Sequence, residues 1–272
     1  MKKNDFLQIE IPKDKQALYA KLKEQHNPEG SALRKWQLQE LEALKAFDTF
    51  CKENDVKYTL AYGTLLGAIR HKGFIPWDDD VDIWIDRENY DKLYSLMQGE
   101  QHMLTDKLGV AMGTRPTLWY PPMADIDIFI FDASPNNLFL RFIKQHMTEL
   151  VNMLIKCRTR IDSKNLGKPK LWFVFIPIAI LASRKTWYNI LRNVSLWFTK
   201  GKENQSKEWQ VYNECVSSIW HCYPADAMRK IVYVEFEGYI FPVYEGYDTL
   251  LRLRYGEYMQ LPSQTINHGI IK

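Results

Sequence analysis

Four aspartates lie within five positions of one short stretch of the chain, at Asp78, Asp79, Asp80 and Asp82. They lead directly into "VDIWI" (81–85), which alternates in the way of a β-strand. Because alternate side chains of an extended chain share a face, we expect Asp80 and Asp82 to point to the same side. Two carboxylates about 7 Å apart repel each other unless a cation lies between or beside them. The spacing therefore predicts a divalent metal site.

Hard oxygen ligands with this much negative charge suit Mg²⁺ or Mn²⁺. A later strand-like run, "ADIDIFIF" (124–131), supplies Asp125 and Asp127, and a third carboxylate from there would complete a two-metal site. Two ions clamp an in-line phosphoryl displacement, because one activates the attacking hydroxyl and the other stabilises the leaving oxygen. We therefore expect phosphoryl-transfer chemistry.

A phosphate also needs hydrogen-bond donors, and Gly63 and Thr64 are placed to provide them. They stand between a predicted strand, "VKYTL" (56–60), and a predicted short helix, "TLLGAIRH" (64–71). Exposed backbone N–H groups at such a helix N-terminus hold anions. Gly63 allows close approach of the phosphate, and Thr64 adds a hydroxyl donor.

Neighbouring residues have alternative interpretations. Arg70 is suited to a bidentate phosphate contact, and His71 is a weaker candidate for substrate contact, with a structural role favoured. Trp77 is predicted either to stack on a planar or cationic group of a substrate or simply to pack in the core. Asp78 and Asp79 are as readily turn residues as ligands, and Asp78 can brace Arg70 or His71 instead.

These residues lie in a predicted α+β fold, a mixed sheet with flanking helices and a mainly helical basic and apolar insert. The alternation of predicted helices and strands gives four regions. They are an N-terminal arm with one short strand (1–30), a catalytic core opening with a helix (31–137), a helical insert (138–222), and a hairpin turning at Glu237-Gly238 followed by a helix (223–272).

The insert is strongly basic. Residues 141–202 contain thirteen Lys and Arg against two acidic residues, a net charge of 13 − 2 = +11, so the remainder carries 3 − 11 = −8. Within it, "LWFVFIPIAILA" (171–182) has no charge, but it is shorter than the about 20 residues needed to span a bilayer. Apolar and basic residues together predict that residues 163–202 lie on an anionic membrane surface. A buried core helix with a solvated basic face is the open alternative.

Other classes of protein are disfavoured. No nucleic-acid-binding motif accompanies the basic residues. The four cysteines are scattered without a C-x-x-C pair, which disfavours a disulfide framework and a structural zinc site. The N-terminal residues lack the apolar core of a signal peptide, so we expect a cytoplasmic protein bound peripherally to the inner face of the membrane.

The stretch "YGTLLGAIRHKGFIPWDDDVDIWIDRENYDKL" (62–93) resembles the signature of the LicD family of phosphotransferases, and more distantly the catalytic domains of fukutin and fukutin-related protein. The similarity extends through "DIDIFIFD" and returns in "FEGYIFPVYEGYDTLLRLRYGEYMQLP" (236–262). The basic insert lies outside the strong match.

The resemblance implies a nucleotidyltransferase-type fold in which Gly63 and Thr64 bind phosphate. It implies that Asp80 and Asp82 are metal ligands, with Asp127 as a third ligand or general base. It also implies transfer of a phosphorylated alcohol, most often phosphocholine, from a CDP-linked donor, with release of CMP. The acceptor would be a hydroxyl of a cell-surface glycan, teichoic acid or lipopolysaccharide precursor, which can be lipid-linked.

Two other functions remain open at this point. One is a nucleotidyltransferase that transfers a nucleoside monophosphate and releases pyrophosphate, since it needs the same metal site. The other is a non-catalytic membrane-binding module in which the acidic loop holds a structural ion.

Overall fold

The computed structural model describes residues 5–97, 103–105, 117–120, 124–162, 174–201, 203–211 and 222–261. The chain divides into two compact units. The first unit comprises Met1–Thr105, Thr117–Ile128 and Ala227–Lys272, and the second comprises Asp106–Pro116 and Phe129–Asp226.

The described elements follow a mixed order of helices and strands. The helices are α1 (Lys13–His26), α2 (Ala32–Glu53), α3 (Tyr62–His71), α4 (Arg87–Leu96), α5 (Leu138–Asp162), α6 (Ile176–Ala179), α7 (Arg184–Trp197) and α8 (Tyr247–Tyr255). The strands are β1 (Thr59–Leu60), β2 (Val81–Asp86), β3 (Met103–Thr105), β4 (Thr117–Tyr120), β5 (Ala124–Ala133), β6 (Glu208–Val211), β7 (Cys222–Pro224), β8 (Ile231–Phe236) and β9 (Tyr239–Tyr244). The predicted α+β fold with a helical insert is confirmed.

The first unit is built around β2. Its strand order is β1-β2-β5-β4-β3, and the β1–β2, β3–β4 and β4–β5 pairs are antiparallel. The first five residues of β2 are buried, as expected of a strand covered on both faces. Its last residue, Asp86, caps α4 by accepting a hydrogen bond from the Asn89 N–H. The sequence "VDIWID" is therefore a central strand that passes directly into a helix.

Strands β8 and β9 form a separate two-stranded hairpin in the first unit. Glu237 and Gly238 have φ angles of 51° and 76°, and positive φ at both central residues is the conformation of a type I′ turn. The predicted turn at these two residues is confirmed. The predicted helix after the hairpin is α8, which ends at Gly256 with φ of 63°.

The N-terminal region differs from the prediction of an arm with one short strand. Residues 13–26 form helix α1, and the only pairing at "FLQIEI" is an isolated parallel bridge between Phe6 and Tyr233. Tyr19 is the one buried side chain among those described on α1. Helix α1 therefore lacks the buried apolar residues at helical spacing from which a helix is predicted in a sequence.

The second unit contains the predicted helical insert and also strands that were not predicted. The second half of β5 pairs with β6, and β6 pairs with β7, both antiparallel. Helices α5, α6 and α7 pack through a core of Val151, Leu154, Ile155, Cys157, Ala179, Trp187 and Leu191. The expectation that residues 138–222 are mainly helical therefore missed β6 and β7, which are short and pair with residues distant in sequence.

Part of the segment predicted to bind membranes, residues 163–173 and 202, lies outside the described residues. In the part of the chain that the structure describes, no helix combines the length and the apolar composition that a membrane crossing requires.

Helix α3 begins at Tyr62, two residues earlier than predicted, so Gly63 lies within its first turn. The middle of α3 lies so close to the following loop that a Cβ on Gly67 would be 2.4 Å from the backbone oxygen of Gly73. Its last turn is anchored by Arg70, whose Nη1 donates to the carbonyl oxygens of Tyr258 at 2.8 Å and Gln260 at 3.3 Å.

His71 ends α3 in a position that keeps it neutral. Its Nε2 accepts a hydrogen bond of 2.9 Å from the Arg70 Nε, and its ring lies 4.7 Å from that of Tyr19. Burial, together with the charge of Arg70, lowers the pKa of His71 to about 3. The imidazole therefore acts as an acceptor that fixes the Arg70 side chain.

Gly67→Ala should destabilise the protein although alanine normally favours a helix by about 1 kcal/mol. The added Cβ would meet a backbone atom that cannot rotate away, so we expect a loss of about 2 kcal/mol or more in the free energy of unfolding. Urea denaturation measures this. Gln39→Ala, at an exposed position of α2, is the control and should change little. A Gly67→Ala protein as stable as the wild type would contradict the close approach of α3 to its loop.

His71→Gln should flatten the dependence of stability on pH. The unfolded imidazole has an ordinary pKa of 6.5, so below that pH the unfolded state binds a proton that the folded state does not. Stability is thus fully present above pH 6.5 and is lost as the pH falls towards 3. From pH 7 to pH 5 this loss is about 2 kcal/mol, at about 1.4 kcal/mol per pKa unit. Urea denaturation at both pH values should show this extra loss for the wild type but not for His71→Gln. Equal losses would contradict a neutral His71.

Candidate active site

Three carboxylates predicted to act together are brought together in the first unit. Oxygens of Asp80, Asp82 and Asp127 all lie within 4.8 Å of one another. Asp80 directly precedes β2, Asp82 is its second residue, and Asp127 lies on β5, the neighbouring strand. Asp82 is buried, whereas Asp80 and Asp127 are partly exposed. The carboxylate group is therefore held in place at Asp82 and can be reached from solvent at Asp80 and Asp127. The side chain of Asp125 lies outside the described residues.

A second acidic group overlaps the first. Oxygens of Asp78, Asp79 and Asp80 also lie within 4.8 Å of one another, so Asp80 belongs to both groups. Asp78 and Asp79 are buried. Burial, and then the neighbouring charges of Asp80 and Asp79, raises the pKa of Asp78 well above its usual range. Burial is the larger cause of the raised pKa, and the negative charge crowded in this loop adds to it.

The chemistry of these groups fits a hard divalent cation. Carboxylate oxygens are the preferred ligands of Mg²⁺ and Mn²⁺. Opposite ligands of a hexacoordinate Mg²⁺ are about 4 Å apart, close to the 4.8 Å limit within which the oxygens of Asp80, Asp82 and Asp127 lie. These three residues would hold such an ion, with Asp78 and Asp79 adding negative charge beside it. Their role as ligands stays a prediction.

Gly63 is required by a contact that the sequence did not reveal. A Cβ at this position would lie 2.5 Å from Oδ2 of Asp78, so any other residue would displace that carboxylate. The carboxylate thus lies at the first turn of α3, where the partial positive charge of a helix N-terminus favours an anion. The predicted contact of Gly63 with phosphate remains a prediction.

Thr64 positions the acidic strand. Its hydroxyl oxygen accepts a hydrogen bond of 2.8 Å from the backbone N–H of Asp82, and the side chain is buried. The backbone carbonyl of Asp82 in turn accepts the N–H of Ala61 at 3.0 Å, so both backbone polar groups of Asp82 are bonded within the protein. Helix α3 is therefore joined to β2 at the metal-ligand candidate itself. A further contact of Thr64 with phosphate stays a prediction.

Of the other predicted substrate-binding residues, Arg70 and Trp77 are buried and His71 is partly exposed. Arg70 is buried, and burial lowers its pKa while the charge of Asp78 acts in the opposite direction. Its Nη1 bonds the backbone at Tyr258, and His71 is its neutral partner. Trp77 is buried with its ring edge against His26, 5.6 Å between centroids. These contacts are structural, and substrate contacts of Arg70, His71 and Trp77 stay predictions.

A buried ion pair that the sequence did not reveal holds the start of the acidic loop. Arg34 on α2 donates to both carboxylate oxygens of Glu237, at 3.1 and 2.7 Å. Oε1 of Glu237 also accepts the backbone N–H of Phe74 at 3.2 Å. Burial alone would raise the pKa of Glu237, but the hydrogen bonds and charge of Arg34 hold it below its usual value. The only signal in the sequence is an arginine on the buried face of an amphipathic helix.

The arrangement can be compared with known proteins. Residues 55–139 match the family described as LicD/FKTN/FKRP, nucleotidyltransferase domain. This range contains the three clustered carboxylates and the whole of α3.

Individual relatives extend the similarity beyond that domain. The lipopolysaccharide cholinephosphotransferase LicD of Haemophilus influenzae is 28% identical over 264 residues, which cover 85% of this chain and 93% of the relative. An uncharacterized protein of Rickettsia prowazekii is 37% identical over 95 residues, covering 33% of this chain and 34% of the relative. An uncharacterized protein of Rickettsia typhi is 41% identical over 70 residues, covering 26% of this chain and 21% of the relative. The chain thus contains a domain that matches the LicD/FKTN/FKRP family, and it is similar over most of its length to a LicD cholinephosphotransferase.

Proposed function

We propose that the protein transfers a phosphorylated alcohol, phosphocholine in the first place, from a CDP-linked donor to a hydroxyl of a cell-surface glycan such as a lipopolysaccharide or teichoic acid precursor. CMP is the second product. The transfer of phosphocholine to lipopolysaccharide is supported by the name of the Haemophilus influenzae relative, whose length this chain covers almost completely. The observation that carries the proposal is the convergence of Asp80, Asp82 and Asp127 within 4.8 Å.

The reaction is a substitution at phosphorus. The acceptor oxygen forms a bond to the phosphorus that bears choline, and the bond from that phosphorus to the bridging oxygen of CMP breaks. The acceptor hydroxyl must lose its proton, and Asp127, which is partly exposed, serves either as the base that receives it or as a metal ligand. The buried Asp82, fixed through its backbone by Thr64, holds the position of the site.

The proposed cofactor is Mg²⁺ or Mn²⁺, which when bound supplies positive charge that stabilises the phosphoryl oxygens and the leaving group. The protein's own contribution is to gather the carboxylates, since nothing in their sequence spacing alone would overcome their repulsion.

Asp82→Asn should lower turnover by at least several hundred-fold, because it removes a charged ligand from the centre of the cluster. The assay incubates the protein with Mg²⁺, a glycan acceptor and CDP-linked choline, ethanolamine, ribitol or glycerol, and measures the nucleotide released. CMP is expected with the choline donor, and EDTA should abolish its release. Asp55→Asn, at an exposed position of the same unit, is the matched control and should retain activity.

The products distinguish the competing functions. Release of pyrophosphate from a nucleoside triphosphate, with no CMP from any CDP-linked donor, would identify a nucleotidyltransferase instead. Full activity of Asp82→Asn would contradict the metal-dependent mechanism and favour a structural role for the acidic loop.

We also propose that the second unit binds the cytoplasmic face of an anionic membrane, where lipid-linked glycan acceptors are assembled. In the described part of residues 163–202, large apolar side chains are exposed at Val174, Ile178, Ile180, Leu181 and Trp197. Exposed Lys185 and Lys200 belong to the same segment. Apolar side chains that insert between lipids and basic side chains that attract their headgroups are the two components of interfacial binding.

Leu181→Ser should weaken co-sedimentation with vesicles that contain phosphatidylserine, because Leu181 is 78% exposed and would lose its apolar contact with the lipid. We expect about a fivefold or greater loss in the partition coefficient at low salt, from burial worth about 1 to 2 kcal/mol. Leu253→Ser, which changes a leucine 58% exposed on α8 of the first unit, is the control. Equal binding of both variants, or no binding of the wild type, would contradict the membrane proposal without affecting the enzymatic one.

A further inference from the structure

The acidic loop is held by two neutral side chains of α2 that the proposed reaction does not use. The indole Nε1 of Trp36 donates to the backbone oxygen of Asp79 at 2.7 Å. The amide Nε2 of Gln37 donates to the backbone oxygens of Asp78 at 2.8 Å and of Ile75 at 3.2 Å. Both side chains therefore bind the stretch of backbone that immediately precedes Asp80.

The orientation of Gln37 is fixed by its surroundings. Its Oε1 accepts from the Nδ2 of Asn27 at 2.7 Å and from Nη1 of Arg34 at 3.4 Å, and the side chain is 1% exposed. A rotated amide would turn its oxygen towards two carbonyl oxygens, so only one orientation satisfies all partners. Because the amide is buried and fully bonded, removing it would leave carbonyl oxygens without a donor.

Because these hydrogen bonds fix the backbone of the acidic loop, they also limit the positions that its acidic side chains can adopt. Asp78, Asp79 and Asp80 repel one another, and that repulsion favours an opened loop in which their carboxylates diverge. Hydrogen bonds to the two carbonyl oxygens oppose such an opening, and they do so without bringing a positive charge that would compete with a cation. At the other end of the cluster, Thr64 holds the backbone N–H of Asp82.

We infer that Trp36 and Gln37 are positioning residues for metal binding, in that they preorganise the acidic loop so that its carboxylates converge before the ion arrives. The inference rests on the proposed metal-dependent function and adds residues outside the acidic loop and outside residues 55–139 that match the family domain. Neither residue contacts the substrate or the ion. Their effect is on the free energy of forming the site, as outer-shell residues affect metal affinity in other proteins.

The test measures Mn²⁺ affinity of the full-length protein by the loss of the electron paramagnetic resonance signal of free Mn²⁺, without substrate and without turnover. Trp36→Phe removes one N–H donor and keeps most of the ring. We expect it to weaken Mn²⁺ binding by about 10-fold, the lower end of the range for outer-shell substitutions. Gln37→Met, of similar size, removes two donors and should weaken binding at least as much.

Trp187→Phe is the matched control. The indole of Trp187 also donates to a backbone carbonyl, that of Ala179, at 3.0 Å, but it belongs to the second unit. Its loss should lower the thermal midpoint by an amount similar to that of Trp36→Phe while leaving Mn²⁺ affinity within about twofold of the wild type, since Trp187 makes its hydrogen bond within the other unit and not to the acidic loop.

Each outcome has a distinct meaning. Weaker Mn²⁺ binding in Trp36→Phe, with unchanged binding in Trp187→Phe, supports the inference. Wild-type Mn²⁺ affinity in Trp36→Phe would overturn it while leaving the proposed function in place. Equal weakening in both tryptophan variants would overturn it as well, because loss of stability alone would then explain the change. No Mn²⁺ binding by the wild type would overturn both the inference and the proposed metal dependence.

Discussion

Gathering carboxylates within a few ångströms of one another is unfavourable, and the first unit is arranged around that problem. Two unit charges 4.8 Å apart repel by about 3 to 4 kcal/mol at an effective dielectric constant of about 20. Asp80 takes part in two such groups, and its charge adds to the larger effect of burial in raising the pKa of Asp78. The surrounding fold has to hold this arrangement in place, and a divalent cation is the species that would stabilise it most.

The contacts that hold the site act on backbone atoms. Thr64, Trp36 and Gln37 bond to the chain at Asp82, Asp79 and Asp78, and none of the three carries a charge. The ion pair of Arg34 with Glu237 is itself neutral overall and fixes the loop near Phe74. These groups determine the path of the chain without supplying positive charge to the carboxylates. Helices α2 and α3 and the turn of the hairpin therefore all help to fix the acidic loop against β2.

Elements with a strong local signal were predictable from the sequence. The alternation of "VDIWI" (81–85) predicted a strand, which the structure shows as β2, and the predicted hairpin turn at Glu237-Gly238 is present with positive φ at both residues. The convergence of Asp80 and Asp82 followed from strand geometry, whereas the choice of Asp127 depended on the family resemblance. Helix α1 was missed because Tyr19 is its one buried side chain among those described, which leaves no apolar period. Strands β6 and β7 were missed because short strands are recognised by their partners rather than by their own residues.

The contacts that sequence reasoning missed join residues separated along the chain. Gly63 is predicted to contact phosphate, and the structure adds that its lack of a side chain leaves room for the Asp78 carboxylate. Arg70 is predicted to bind phosphate, and the structure adds its hydrogen bond to a backbone carbonyl near the end of α8. Trp36 and Gln37 looked like ordinary members of an amphipathic helix. Only the tertiary structure shows that α2 reaches the acidic loop.

The most direct measurement of the central claim is anomalous X-ray diffraction from crystals of the protein soaked in Mn²⁺. Anomalous density coordinated by carboxylate oxygens of Asp80, Asp82 and Asp127 is the result that this account predicts. Density elsewhere on the protein, with those three side chains directed into solvent and bound to no ion, would contradict it.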